Sequence, residues 1–594
     1  MRARGSSGAG RSRARRALAP ILALALSGAL LAATATAASA VTVSPLNGTP
    51  DASPGTQISF LGAPAKQISH VSVVGSRSGG HSGSLRSYAS AAGASFIPAR
   101  GFVEGERVTA SATVGRAHVG TTFYIARLVH YPLGPSRTPP PAKTGANQSF
   151  VTQPTLQPPT VRVTANSPAA APGDIFLTTN SGRGQNGALI VNGGGALVWF
   201  KPAAKGNSMT NLQVTSYEGK PVLAYWEGHI DLGVGFGSDT LLGTDYKPVA
   251  TIHAGNGYYA DLHELQVTPQ GSAYLTAYTL VRADLSSVHG SKDGALQDAV
   301  VQQVDIKTGL VMFEWHTYGH VALDDSYAND PRDPNRPWDF FHLNSIAPDP
   351  WGDGDFLISS RNTWAVYEVN RRSGAVEWRL GGKKPSFRMG SGTGTAYQHD
   401  ARWQPDHTIT IFDNGAVPKA HAYSRAIHEQ IDFKHRTVKL ISRDARTPSI
   451  LSGSQGNDQV LANGDSFVGW GESPYFTEFN AAGQAVFDAH LPYPAQVYRS
   501  YRFEWNAVPA AVPSIALRAA GAATTVYASW NGATGVRSWR VLAGATPATL
   551  ATVAEVPSGG FETAATVPSA APSFAVQALG AAGEVLGSSH AISR

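Results

Sequence analysis

The sequence predicts an all-β protein in which a β-propeller stands between two β-sandwiches. Three observations carry this. Glycine (63 residues) and proline (38) make up about 17% of the 594-residue chain while charged residues reach only 15%, a balance that suits turn-rich β structure better than helical bundles or disorder. A hairpin signature recurs through the middle of the chain, and ahead of the clearer turns a second signature recurs, a polar residue opening a strand. At ~150 residues per domain the length allows three or four domains.

The first residues are an address. Arg2, Arg4, Arg11, Arg13, Arg15 and Arg16 precede an apolar run over residues 17–33 and the small-residue stretch Ala38, Ser39, Ala40, which read as the three regions of an export signal over residues 1–40. The mature chain is expected to begin near Val41 and to be secreted or held at the cell surface. The pair Arg15 and Arg16 leaves both general and twin-arginine export open. Removing residues 1–40 takes away six arginines and no acid, so the net charge falls from +6 to 0. The basic balance therefore belongs to targeting, and nucleic acid is not an expected partner. No later stretch reaches ~18 apolar residues, so no membrane span is expected after the signal. Cysteine is absent, which excludes disulfides, thiolate metal sites and a cysteine nucleophile.

Residues 41–131 alternate in short stretches, as in residues 71–74 and 107–114, and predict an N-terminal β-sandwich. Residues 132–164 are rich in Pro, Ser, Thr and Gln, with Pro139 to Pro141 in a row, and read as a linker or a strap over a domain. Residues 507–594 carry strand patterns at 526–530, 538–542 and 573–578. Their order, a Trp-containing strand before a second aromatic one, resembles fibronectin type III modules.

Residues 165–506 contain the repeat, which outranks local patterns. Hairpins turn between Asp305 and Gly309, between Asn370 and Gly374, and between Asn480 and Gly483, with degenerate copies at residues 431–438 and 191–200. The strand openings are Asn211, His263, His342, His399 and Asn457. Four strands per unit in five or six units is a β-propeller.

In a propeller the innermost strands face a central channel, so polar residues that open them converge. One histidine there is explained by a hydrogen bond to a neighbouring blade; three in register, His263, His342 and His399, point to function. His342 and Asn344 are two apart and share a strand face. If the next hairpin is symmetric about Trp351 and Gly352, Arg361 lies opposite His342, and one blade presents a titrating base beside two donors for an oxyanion. A structural arginine holding loop carbonyls is the alternative for Arg361. Trp338, Phe340, Phe341, Trp351, Trp364 and Tyr397 suit either stacking on a phenol or blade packing, with packing the better expectation for any single one. Asp400, next to His399, points to the opposite face and is not assigned to orient it.

The runs His-Glu-Leu-Gln (263–266), Phe-His-Leu-Asn-Ser-Ile (341–346), Leu-Ile-Ser-Ser-Arg-Asn (357–362), Glu-Trp-Arg-Leu-Gly-Gly (377–382) and Gln-His-Asp-Ala-Arg (398–402) resemble the bacterial arylsulfotransferase (arylsulfate sulfotransferase) family, in its actinobacterial and fungal branch. The resemblance covers most of the central region and neither terminal module. It implies a six-bladed propeller that moves a sulfuryl group from an aryl sulfate to a phenol through a sulfohistidine, with no nucleotide donor and no cofactor. It also implies roles: His399 as nucleophile, His342 as proton shuttle, and His263, Asn344 and Arg361 as holders of the non-bridging sulfuryl oxygens. These roles answer what sulfuryl transfer needs, an in-line nucleophile, a proton carrier titrating near neutrality and donors for oxygen charge.

Two further readings compete. His263, His342 and His399 could ligate a divalent metal for hydrolysis or elimination, with Asp261, Glu264 and Asp400 nearby; the cation Arg361 argues against it. A non-catalytic secreted binding propeller is the other, since a fold never proves activity; His399, Arg361 and His342 all being present weighs against it.

Overall fold

The computed structural model describes residues 41–594 except 133, 135–146, 183, 352 and 353. The export signal and the triple proline thus lie outside the described residues. Regular structure among the described residues is antiparallel β, apart from two short parallel pairings and four three-residue 3-10 turns. No helix is long and apolar enough to cross a membrane.

Residues 41–124 form two four-stranded sheets around Ile58, Phe60, Ala94, Val108, Ala110 and Phe123. In Arg107–Val114 the even-numbered residues are buried or half-buried and the odd ones more open, the period of two that the sequence shows. At the other end, sheets built on Ala523–Ser529 and on Ser538–Gly544 enclose Trp530, Trp539, Val541, Phe574 and Val576.

Between them lie sheets of four, nine, four, five and five strands, and the nine-stranded one divides at a single residue pair into two parts, so that six units are numbered I to VI. Sheet I holds Asp174–Thr179, Gly187–Val191 and Leu197–Pro202, with Tyr501–Phe503 added at its inner edge. Sheet II runs from Ser208–Tyr217 to Pro248–Ile252, and III from Ala260–Val267 through Ser272–Ala283 and Gly294–Asp305 to Val311–His316. Sheets IV, V and VI begin at Leu343–Pro348, His399–Trp403 and Asn457–Val460. The predicted openings thus stand in or directly before the first strands of sheets II to VI. One expectation fails in part. Arg162–Asn166, inside the predicted linker, is the outer strand of sheet VI, paired with Ala485–His490; it is mostly exposed and so carries no alternation to announce it. Before it, Thr152 donates from its amide (2.7 Å) and hydroxyl (2.6 Å) to Glu562 Oε2, so the strap is tied to the C-terminal sheets.

Among the described residues a single pair, Gly237 with Ala260, joins sheets II and III; elsewhere the six share no ladder, and their first strands are linked by side chains. Asn211 Nδ2 donates to the carbonyls of Leu262 (2.9 Å) and His263 (3.1 Å). The Ile346 amide donates to Glu264 Oε2 (3.3 Å), and Asn344 Nδ2 to the Gln398 carbonyl (2.8 Å). The Asp458 amide donates to Asp400 Oδ2 (3.2 Å), and Asn457 Nδ2 to the Ser500 carbonyl (2.8 Å). Arg499 Nη1 reaches Asn211 Oδ1 (3.4 Å), so these links run through all six sheets and return to the start. Packing joins them further out. The buried Trp226 indole donates to the Ala260 carbonyl (2.9 Å), and its truncation to Ala would cost about 3–5 kcal/mol.

Candidate active site

The inner strands are irregular where they open. Register shifts fall between Thr210 and Gln213, Ala260 and Leu265, Leu343 and Ser345, and His399 and Arg402, and Asn211, His342 and Asp400 hold φ of 57°, 55° and 56°. Bulges and left-handed residues re-aim side chains that a flat strand would alternate. Here they turn three histidines into one buried neighbourhood: His263, His342 and His399 are 3%, 9% and 1% exposed.

His399 is held by its Nδ1, which donates to Asn414 Oδ1 (2.7 Å) and lies 3.1 Å from the Tyr397 carbonyl. That fixes the tautomer with Nε2 unprotonated, and Nε2 accepts from the Gln455 amide (3.2 Å). Burial and then the charge of Arg361 drive its pKa well below the usual histidine value, against the hydrogen bond to Asn414. A neutral imidazole with a defined lone pair results.

His342 bonds through Nδ1 to Asp339 Oδ2 (2.5 Å). Burial lowers its pKa; Asp339 opposes this, and His263 and Arg361 reinforce it. His263 makes the matching bond to Asp261 Oδ2 (2.6 Å). Asp261 also accepts from the Gly235 amide and the Thr276 hydroxyl, and although burial raises its pKa, His263 and these donors hold it below the usual carboxylate value.

Arg361 lies opposite His342, as the hairpin arithmetic predicts: its amide donates to the His342 carbonyl (3.0 Å), one step beyond the pair Leu343 with Ser360. Its guanidinium stacks over Tyr397 at 5.0 Å, with Nη1 on Asn362 Oδ1 (3.1 Å) and Nη2 on the Gly453 carbonyl (3.4 Å). Asn344 differs from expectation. The bulge between Leu343 and Ser345 breaks the period of two, and its amide is spent on the Gln398 carbonyl in the same kind of inter-sheet link as Asn211 and Asn457.

Asp400 faces away from His399 and joins a quartet beneath the histidines. Arg499, fully buried, pairs with Glu264 (3.2 Å) and Asp400 (3.2 Å), and Arg402 bonds to the same two acids. Two cations meet two carboxylates. Ligand atoms of His263, His342 and His399 are not gathered within 4.8 Å of one another, whereas among the described residues those of Asp51, Asp298 and His316 are. The three-histidine metal reading therefore has no geometric support.

The aromatic residues divide. Phe340 and Phe341 are fully buried core, Trp338 is nearly so, and Trp351 is 43% exposed and stacks on His407. Trp364 stacks on Tyr327 (3.8 Å, 8°) and meets Tyr397 edge-on at 5.0 Å, next to Arg361; Lys383 lies over Tyr327. A Cβ added to Gly233, at the tip of the hairpin between Lys220–Asp231 and Val234–Leu242, would stand 3.5 Å from His342 Cε1. Gly233, Asp339, Asn414, Gln455 and Arg499 escaped the sequence reading because they lie in loops or in a strand with no neighbouring hairpin partner.

Comparison with known proteins bears on this geometry. Residues 213–491 match the family described as arylsulfotransferase (ASST). No curated protein matches. Among solved structures, a Bacteroides caccae protein of unknown function is 14% identical, with 56% of this chain and 98% of that one covered and a TM-score of 0.36. Sqt1 of Saccharomyces cerevisiae is 10% identical over 72% and 90% of the two chains, with a TM-score of 0.28. Neither likeness carries an argument. The matched span contains His263, His342, Arg361 and His399 in the arrangement just described, and it is through residues 213–491 that the chain is similar to the arylsulfotransferase family.

Proposed function

We propose that the protein is an exported arylsulfate sulfotransferase working through a sulfohistidine on His399. The observation that carries this is the state of that side chain: neutral, with Nδ1–H committed to Asn414, and under the charge of Arg361. In the first half-reaction His399 Nε2 attacks the sulfur of an aryl sulfate, an S–N bond forms, and the S–O bond to the aryl group breaks with its electron pair leaving on the phenolate. His342, as imidazolium, gives the phenolate its proton. In the second half an acceptor phenol returns a proton to His342 as its oxygen forms the new S–O bond and the S–N bond breaks. Arg361 and His263 stabilise the non-bridging oxygens, and Asp339 and Asp261 hold the two imidazoles in orientation. The ring of Trp364, Tyr397 and Tyr327 offers a stacking surface for the aryl group.

The six sheets and the links that return to their start support a six-bladed propeller, with the flanking sheet pairs as β-sandwiches, the second of fibronectin type III kind. Residues 1–40 support export of the chain. The test is incubation with p-nitrophenyl sulfate, with and without phenol, following nitrophenolate release and intact protein mass. Phenol-dependent release with one sulfuryl added to the chain, both lost in His399→Ala, is the expected result. Release that continues in His399→Ala would end the reading.

A further inference from the structure

We propose that Asp51, Asp298 and His316 form a binding site for one divalent transition-metal cation of the Zn2+ or Mn2+ class, fastening the N-terminal sheets to sheet III. Asp51 comes from the N-terminal part, between Thr42–Ser44 and Ile58–Leu61, and Asp298 and His316 lie on the two outer strands of sheet III. All three are buried, 2%, 0% and 1% exposed. The site is separate from the histidines at the inner strands.

The distances suit a shared cation. His316 Nδ1 lies 3.1 Å from Asp51 Oδ1 and 3.0 Å from Asp298 Oδ2, and tetrahedral ligands at about 2.0–2.2 Å from a metal stand about 3.3–3.6 Å apart. The flanking bonds orient each ligand. His316 Nε2 is 3.0 Å from Glu314 Oε1, the carboxylate behind a ligating imidazole that fixes its tautomer. Asp298 Oδ1 accepts from the Thr317 hydroxyl (2.6 Å) and the Tyr318 amide (2.7 Å), which leaves Oδ2 to face the site. Glu314 Oε2 accepts from Asn256 (2.8 Å) and Gln302 (2.6 Å).

Asp51 supplies the second, independent observation. Nδ1 of His316 carries one hydrogen, directed at Asp298, so neither oxygen of Asp51 receives a hydrogen bond. The Tyr258 hydroxyl, its ring 6.4 Å from that of His316, is likewise buried without a partner. Carboxyl groups crowd one imidazole here in a region shut off from water. A divalent cation displaces the Nδ1 proton to solvent, leaves Nε2–H on Glu314, and gives Asp51 a ligand bond in place of its ion pair with His316.

The test is metal content of the whole protein, stripped with chelator, equilibrated with Zn2+ or Mn2+ and desalted. One equivalent retained by the unaltered protein, a raised melting temperature in the same metal, and loss of both in Asp51→Asn are expected. If Asp51→Asn does not fold, Glu314→Gln serves, with affinity expected to fall about 10–100-fold. Unaltered protein that retains neither metal overturns the proposal, and so does undiminished uptake by the variant that folds.

Discussion

His263 and His342 stand edge to face, ring centroids 4.9 Å apart at 85°, and each gives its Nδ1 to an aspartate close by in sequence, Asp261 and Asp339. The pairing leaves both Nε2 atoms for chemistry and sets the tautomer of each ring from behind. Two imidazoles so close repel when both are charged. His263 is accordingly among the causes that lower the pKa of His342.

Asp339 opposes that lowering, so Asp339→Asn should depress the pKa of His342 further and leave less of it protonated to act as the acid. The loss should depend on the leaving group. Turnover of p-nitrophenyl sulfate, whose phenolate needs little protonation, should fall less than tenfold, and turnover of unsubstituted phenyl sulfate by about 10²-fold. Equal losses with both donors would remove His342 from the proton path.

In the proposed reaction His399 attacks as the neutral base, and its depressed pKa keeps it neutral below the ordinary histidine range. Protonation of His399 should therefore not slow sulfuryl transfer to the enzyme as pH falls through 6.5, where protonation of His342 favours it, and the acid limb should appear only at lower pH. Asn414→Asp places a carboxylate against Nδ1–H, raises that pKa and should move the acid limb upward. The same shift acts on stability. The unfolded chain protonates this histidine first, so its contribution is present above the unfolded pKa and is lost as pH falls toward the folded one. Single-turnover burst amplitudes against pH read the first effect, and thermal melts read the second.

Arg361→Lys keeps a charge but not the planar fork. The expected loss in kcat/KM is about 10²-fold, mostly in kcat, because the interaction strengthens as charge develops on sulfuryl oxygens. Steady-state kinetics check it; a rise in KM alone would make Arg361 a ground-state binder.

Arg499→Met should leave Glu264 and Asp400 short of one cation in a site closed to water. Breaking such a buried pair from one side costs about 3–5 kcal/mol, measurable as a lower denaturant midpoint. Adding Glu264→Gln to the same chain should recover part of the loss.

Much of this site is legible in the sequence, and the physical reason is regularity. Histidines at or next to the first strands of sheets III, IV and V show up because the hairpin pattern repeats, and Arg361 can be placed opposite His342 by counting residues around one turn. Asn344 is the instructive exception. Counting by twos assumes a flat strand, and a bulge at that residue turns its amide to the next sheet. Asp339 and Asn414, which orient two of the histidines, sit outside any repeat that counting could follow. Arg162–Asn166 is an exposed outer strand whose pattern gives no period at all. Arg499 precedes a strand of three residues whose partner, Asp174–Phe176, lies more than 300 positions earlier.

That last pairing has a consequence for how the molecule comes into being. Sheet I receives its fourth strand from Tyr501–Phe503, so a sheet begun at Asp174 is completed only about 325 residues later, and Arg499, two residues before that strand, meets Glu264 and Asp400 only then. A chain still emerging, or one cut short before residue 499, has no finished centre. The charges that Arg499 balances on Glu264 and Asp400 thus stay one cation short until nearly the whole length of the chain is available.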